Sequence, residues 1–267
     1  SYQYHYEKRG KKGEPIVLIH GIPMNAYLWR KVQAGLEDNF QTYAIDMLGY
    51  GQSDKPAEAD YSWTGQARRV AGFMDALGLK KAVVAGHDQG GGVALCFATQ
   101  YPERLTKFMM INGSCYDNCL PRFLIRALGT LDALPDEQLD MVRPMAVGFF
   151  STALWGTLYN KNRLTIDVMN HYMDPWMTRE GFRALLKHCN RPSNDETMNA
   201  DLSKIKVPTL VVWATQDMAL PVEAAHRLRR DIAGPVTLET IDDSGHFVQE
   251  EQPEKLAAIM TSWLLTH

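Results

Sequence analysis

Residues 86–90 read Gly86-His87-Asp88-Gln89-Gly90. They follow the apolar run Ala82-Val83-Val84-Ala85 and precede a segment, from about Gly91 to Gln100, with helical spacing that stops before Pro102. A Gly-x-Nuc-x-Gly stretch between a buried strand and a helix is the pattern of a nucleophile elbow, a strained turn that exposes its central side chain. The flanking glycines are needed because a Cβ there would collide with neighbouring backbone. The following helix points its free N–H groups and positive dipole end toward the central residue. That residue is usually serine; here it is Asp88. A serine must lose a proton to attack, whereas a carboxylate with an ordinary pKa near ~4 is already charged at neutral pH. Attack on an ester carbonyl would give an anhydride, a poor trap. Attack on saturated carbon, with an alkoxide or halide leaving, gives an ordinary ester that activated water can hydrolyse. Asp88 therefore predicts substitution at an sp3 carbon in two covalent steps.

The elbow strand is one of several. Ile16-Val17-Leu18-Ile19, Thr42-Tyr43-Ala44-Ile45, Phe108-Met109-Met110-Ile111 and Thr209-Leu210-Val211-Val212-Trp213 are short apolar runs of the kind buried parallel strands use. A further strand is predicted over Val236 to Ile241, and the alternation of Tyr2, Tyr4 and Tyr6 with polar residues suggests a half-exposed antiparallel strand. Between the runs lie helical patterns: residues 26–38 (Leu28, Trp29, Val32, Leu36), Trp63 to Leu77 stopped by Gly78, a helix after Pro221, and Pro253 to Leu265. Alternation at these intervals predicts an α/β fold with a doubly wound, mostly parallel sheet. The pattern breaks after Asn112. Residues 113–200 show helical periodicity, many aromatics and methionines, and no buried strand run. The expected organisation is a core domain of residues 1–112 and 201–267 carrying a helical cap of residues 113–200.

An elbow nucleophile needs an acid and a histidine downstream on the carboxyl edge of the sheet, in that order. Asp217 closes the stretch Val212 to Asp217, and His246 sits in Asp243-Ser244-Gly245-His246-Phe247, just before the last helix. Singly, each is as readily a turn aspartate or a loop histidine; three matches in chain order, each at a strand end, favour the triad Asp88, Asp217 and His246. A fourth element is His20-Gly21-Ile22-Pro23. Here the backbone N–H groups of Ile22 and Gln89 would converge above Asp88, each donor worth roughly 3 kcal/mol to a developing negative charge. His87, beside the nucleophile, reads as a packing or hydrogen-bonding residue rather than a second base.

Composition narrows the alternatives. The 267 residues are 45% hydrophobic and 22% charged with a formal charge of −3, and no basic cluster interrupts them. Nucleic acid and anionic membranes are poor partners for such a chain. No apolar run reaches the ~18 residues that span a bilayer. Ser1-Tyr2-Gln3-Tyr4 has neither the basic nor the apolar region of a signal peptide. Four cysteines in a chain this long point to a reduced, cytoplasmic setting. Cys115-x3-Cys119 lacks a second ligand pair nearby, so neither a metal nor another cofactor is expected. A monomer or homodimer is expected.

These landmarks together resemble the α/β-hydrolase superfamily over essentially the whole chain: His20-Gly21-Ile22-Pro23, the stretch Asp46 to Pro56, Gly86 to Gly91, Trp213 to Asp217, and Ser244-Gly245-His246-Phe247. The resemblance implies a helical cap and narrows to the branch with an aspartate nucleophile, which holds epoxide hydrolases, haloalkane dehalogenases and haloacetate dehalogenases. Epoxide hydrolases use cap tyrosines to protonate the ring oxygen. Tyr159 and Tyr172 are the candidates, with Tyr116 behind them, although the position where the family's second tyrosine usually lies is occupied by Leu186, Lys187 and His188. Haloalkane dehalogenases typically have tryptophan directly after the nucleophile and often asparagine in the His-Gly-x-Pro position; this chain has Gln89 and Ile22. Haloacetate dehalogenases grip a carboxylate with arginines just after the nucleophile, where Gln89 and Gly92 stand. By elimination an epoxide, or another electrophile that opens to an oxyanion, leads, with a haloalkane or haloacid second. A non-catalytic ligand-binding member of the fold is the third reading. A pocket formed by His20, Pro23, Trp155 and Trp176 would be apolar and adaptable, and would suit a small lipophilic substrate.

Overall fold

The computed structural model describes residues 2–118, 127 and 130–267. Seven strands form one sheet in the order β1-β3-β2-β4-β5-β6-β7: β1 (Tyr6–Arg9), β2 (Pro15–Ile19), β3 (Gln41–Ile45), β4 (Ala82–Asp88), β5 (Leu105–Gly113), β6 (Thr209–Ala214) and β7 (Val236–Ile241). Only β1 runs antiparallel to its neighbour. The side chains of Ile16 to Ile19, Val83 to Ala85, Phe108 to Ile111 and Leu210 to Trp213 are all but fully buried, as a parallel sheet covered on both faces requires.

Helices α1 (Arg30–Leu36), α2 (Trp63–Ala76), α3 (Gln89–Gln100), α8 (Glu223–Asp231), α9 (Val248–Glu251) and α10 (Pro253–Thr266) accompany the strands. Between β5 and β6 lie α4 (Asp136–Gly156), α5 (Ile166–Met173), α6 (Arg179–Asn190) and α7 (Asn194–Met198), joined by short 3-10 turns. The last two turns of α4 lean over the carboxyl edge of the sheet, where Phe150 and Leu154 are buried.

Three boundaries differ from the sequence reading for local physical reasons. The first strand begins at Tyr6 rather than Tyr2, because its partner β3 has only five residues and the pairing runs from Tyr6–Ile45 to Arg9–Thr42. Tyr4 and Tyr6 instead spend their rings against Phe73 of α2. The segment after Asn25 starts as a 3-10 turn, Ala26–Trp29, before α1. β5 runs to Gly113, two residues past its apolar run, and so carries Asn112 to the sheet's carboxyl edge.

Beside the site, Asp46 organises the loop after β3. Its buried carboxylate accepts the N–H of Ala26 at 2.6 Å and of Gln52 at 2.8 Å, and pairs with His5 Nδ1 at 2.9 Å. Burial opposes its charge, but His5, His20 and the two N–H groups together hold its pKa below the usual range. Asp46→Ala strands these donors and is expected to cost about 3–5 kcal/mol, read as a lower urea midpoint. Because the folded-state pKa is depressed, the contribution is complete above about pH 4 and is lost as pH falls through the depressed value.

Candidate active site

β4 ends at Asp88, whose backbone sits at φ 50°, ψ −125°. A non-glycine residue there stores strain of order 1–3 kcal/mol and persists only where its surroundings hold it. Here α3 starts at the next residue, and the Ser114 N–H donates to the Asp88 carbonyl at 2.8 Å. The elbow also packs too closely for a side chain at Gly90, where a Cβ would lie 2.3 Å from the His20 carbonyl oxygen.

The two carboxylate oxygens of Asp88 have different surroundings. Oδ2 accepts the Ile22 N–H at 2.8 Å, and the carboxylate also accepts the N–H of Gln89. Oδ1 receives a long contact from the Ser114 hydroxyl, 3.5 Å, and lies 3.8 Å from His246 Nε2. The second distance exceeds a hydrogen bond, so Nε2 is not consumed by Asp88. The other ring nitrogen, Nδ1, is 2.9 Å from Asp217 Oδ2; a carboxylate only accepts, so Nδ1 carries the proton. Asp217 is itself fixed. Oδ1 accepts the N–H groups of Ala219 and Leu220, and Oδ2 accepts Asn112 Nδ2 at 2.6 Å. Asn112 in turn accepts the Ala214 N–H, which locks the amide's orientation.

The electrostatics follow from this geometry. Burial pushes the Asp88 carboxyl above its ordinary value, against the pull of His246 and the two N–H donors. Burial also disfavours a charged His246, but the Asp217 charge and hydrogen bond, with Asp88 behind them, carry the imidazole's pKa above normal. Asp217 lies below the usual carboxylate range: burial raises it, and His246, Asn112 and the Leu220 N–H outweigh that. His87 is driven down to about 3 by burial and by the His246 charge. It is therefore neutral, and its Nε2–H donates to the His246 carbonyl at 2.9 Å.

Asp88 and His246 form the floor of a cavity of about 260 Å³ whose walls include Ile22, Pro23, Phe150, Leu154, Leu220 and Phe247. Phe149 and Met218, which also line it, are respectively 52% and 84% exposed and mark its mouth. Apart from the triad pair, the polar side chain among the described lining residues is Thr157, whose hydroxyl donates to the Leu154 carbonyl.

The structure thus brings Asp88, Asp217, His246, Ile22, Pro23 and the Gln89 backbone together. Other sequence candidates lie elsewhere. Tyr172 is fully buried outside the cavity; its hydroxyl donates to Glu250 at 2.5 Å and accepts from Arg30, and burial plus the Glu250 charge raise its pKa well above normal. Tyr159 is about half exposed on the surface and engages Asp243. Tyr116 donates to Asp231. Trp155 is partly exposed, with its indole N–H on the Lys161 carbonyl. Trp176 is a support one layer behind the cavity wall, donating to the Pro23 carbonyl at 2.8 Å. His20 faces backbone rather than substrate, between the Gly21 carbonyl and the Met47 N–H. The Gln89 amide turns to the His188 carbonyl at 3.4 Å, away from the cavity. The sequence reading missed Asn112 and Ser114. Their signal was position: they follow the apolar run of the strand that turns out to lie next to β4.

The chain matches the family model described as "alpha/beta hydrolase fold" over residues 14–253. It belongs to the α/β-hydrolase family. Among similar proteins, the "Monoacylglycerol lipase abhd6-A" of Xenopus laevis is 28% identical over 99% of this chain and 80% of its own length. The "Epoxide hydrolase 1" of Caenorhabditis elegans is 30% identical over 94% of this chain and 65% of its own. The crystal structure of Cfl2 from Burkholderia cenocepacia superposes with a TM-score of 0.82 at 26% identity, covering 98% of this chain and 92% of that one. In this α/β hydrolase no helix among the described residues is long and apolar enough to cross a membrane. Nor do the described residues group three or more His, Cys, Asp or Glu side chains where they could hold a metal ion. Cys96, Cys115 and Cys189 are buried, and burial pushes the thiols of Cys96 and Cys115 up to about 12. Cys119, the other half of the Cys115-x3-Cys119 pair, lies outside the described residues.

Proposed function

We propose that this α/β hydrolase opens an epoxide on a small lipophilic molecule through a covalent ester on Asp88. The observation that carries the reading is the setting of that carboxylate: Oδ2 rests on the Ile22 N–H, Oδ1 lies beside His246, and the Gln89 N–H also donates to the group. Oδ1 attacks a ring carbon, the carbon–oxygen bond on the far side breaks, and the alkoxide takes a proton from water entering at the Phe149–Met218 mouth. Neutral His246 then removes a proton from a second water, which adds to the ester carbonyl carbon. The Ile22 and Gln89 N–H groups stabilise the resulting oxyanion. Collapse breaks the ester bond to the carbonyl carbon; the departing diol oxygen takes the proton of the new carboxyl, leaving Asp88 a carboxylate. The imidazolium gives its proton to the hydroxide left by ring opening, so His246 is neutral again. The helical segment between β5 and β6 supplies the cap over this chamber through α4.

Support for an epoxide over a halide comes from the cavity wall and from a relative. The described wall offers a departing halide no side-chain N–H, because neutral His246 spends its own on Asp217. An alkoxide needs only a proton. The Caenorhabditis elegans relative is named an epoxide hydrolase, and transfer of that activity is part of the proposal. A panel of lipophilic epoxides and haloalkanes tests it. Diol formation from epoxides without halide release supports the reading; halide release from haloalkanes with inert epoxides overturns it.

The pH dependence follows from His246. Hydrolysis needs the neutral imidazole, whose pKa lies above the ordinary ~6.5. As pH falls through that value the base is lost and the second step slows, so the steady-state fraction of adduct rises on the acid side wherever Asp88 is still ionised. Asp217→Asn removes the charge that raises His246. The pH midpoint of the hydrolysis rate should then move lower, while hydrolysis is slower by about 10³–10⁴-fold as the imidazole loses its orienting partner, so that adduct accumulates across the pH range. Quenched-flow mass spectrometry across pH checks both.

A further inference from the structure

Two adjacent glutamates follow His246, both buried in α9 and facing different ways. Glu250 is surrounded by charge: it pairs with Arg30 and Lys31 and accepts the Tyr172 hydroxyl, tying α5 to the core. Glu251 takes its hydrogen bonds from backbone, with the Lys161 charge nearby. Oε2 accepts the Gly245 N–H at 2.6 Å, Oε1 accepts the Asn160 N–H at 2.7 Å, and the Tyr159 N–H adds a third donor. Its two oxygens therefore bridge the residue before the imidazole and the turn that follows α4. The same two segments meet again where the His246 N–H donates to the Thr157 carbonyl at 3.1 Å. They lie so close that a Cβ on Gly245 would stand 2.3 Å from the Thr157 oxygen. The turn is anchored from its other side by Lys161, whose ammonium caps the carbonyls of Trp155, Gly156 and Leu158.

We infer that Glu251 is a positioning residue that clamps the turn after α4 to the His246 loop, so that the helix lining the cavity and the imidazole serving it move as one joint. Phe149, Phe150, Ala153, Leu154 and Thr157 put one end of that joint against substrate; His246 is the other end. The kinetic consequence rests on the proposed two-step reaction. Ester hydrolysis needs Nε2 aimed at a water beside Asp88, whereas the initial attack by Asp88 does not. Loosening the clamp should therefore slow the second step and spare the first.

Glu251→Gln keeps the shape but turns one acceptor into an N–H₂ facing an N–H. Glu250→Gln is the control, equally buried, on the same helix and in an ion cluster. Two readouts are taken on each. The first, needing no substrate, is the downfield proton resonance of His246 Nδ1–H, assigned by its loss in His246→Gln. The second is the rates of adduct formation and hydrolysis with an epoxide, by rapid quench. Glu251→Gln is expected to shift or broaden the resonance and to slow adduct hydrolysis about 10–100-fold, with formation changed less than about threefold. Glu250→Gln should lower the melting temperature and leave both readouts near the parent's. An unchanged resonance and hydrolysis rate in Glu251→Gln, or the same losses in Glu250→Gln, would overturn the inference. Should Glu251→Gln fail to fold, Glu251→Asp, which draws the charge back by one methylene, takes its place with the same two readouts, and the same outcomes support or overturn the inference. If the parent forms no adduct with any epoxide, the functional reading falls, and the resonance still decides whether Glu251 holds His246.

Discussion

Asp88→Ala is expected to form no covalent adduct and to lower turnover by about 10⁴-fold or more. In the proposed reaction Ile22 and Gln89 supply hydrogen bonds to charge and His246 a base, and the bond to carbon is left to Asp88. The same variant should not be less stable. Burial raises the Asp88 pKa, so its charged form is a cost to folding at neutral pH, and the neutral methyl removes that cost. A urea midpoint equal to or above the parent's, together with lost turnover, would separate a dead site from a damaged fold. Residual turnover within tenfold of the parent would mean that Asp88 is not the attacking group.

His246→Gln should give the opposite phenotype at the protein level. Asp88 still attacks, but no base activates water, so the ester persists and adduct approaches one per chain by mass spectrometry. Loss of a positioned general base slows hydrolysis by about 10²–10⁴-fold. The approach of Oδ1 to substrate is unaffected, because Oδ1 and Nε2 are 3.8 Å apart and share no hydrogen bond. Normal turnover in this variant would remove His246 from the mechanism.

Sequence and structure agree where the information is local. The elbow could be read because an apolar strand, two glycines and a helix start lie within twenty residues, and their geometry leaves Asp88 one place to point. Asp217 was legible because it follows the apolar run of β6, and His246 because it sits in the turn between β7 and the last helices, in the chain order a triad requires. The helical segment between β5 and β6 was legible as helical and illegible in detail. Along α5 the side chains of Met169, Tyr172 and Met173 are buried, and which partner they meet depends on how that helix sits on the core. Tyr172 meets the Arg30–Glu250 ion pair, 142 and 78 residues away in sequence, which no periodicity could announce. The chemistry of Trp155 and Trp176 suits a pocket, yet neither lines the cavity and both indole N–H groups are spent on backbone carbonyls. Asn112 and Ser114 were passed over because their importance comes from sheet order. β5 lies between β4 and β6, so its last residues reach both Asp88 and Asp217, and that adjacency is a property of topology rather than of any short stretch.

The most direct measurement follows oxygen. The enzyme is taken through a single turnover of a lipophilic epoxide in ¹⁸O water, and both the diol and the peptide containing Asp88 are weighed. Attack by Asp88 followed by hydrolysis at the ester carbonyl predicts an unlabelled diol and one ¹⁸O in the Asp88 peptide. A labelled diol with an unlabelled peptide would show that water itself opened the ring, and would contradict the covalent role assigned to Asp88.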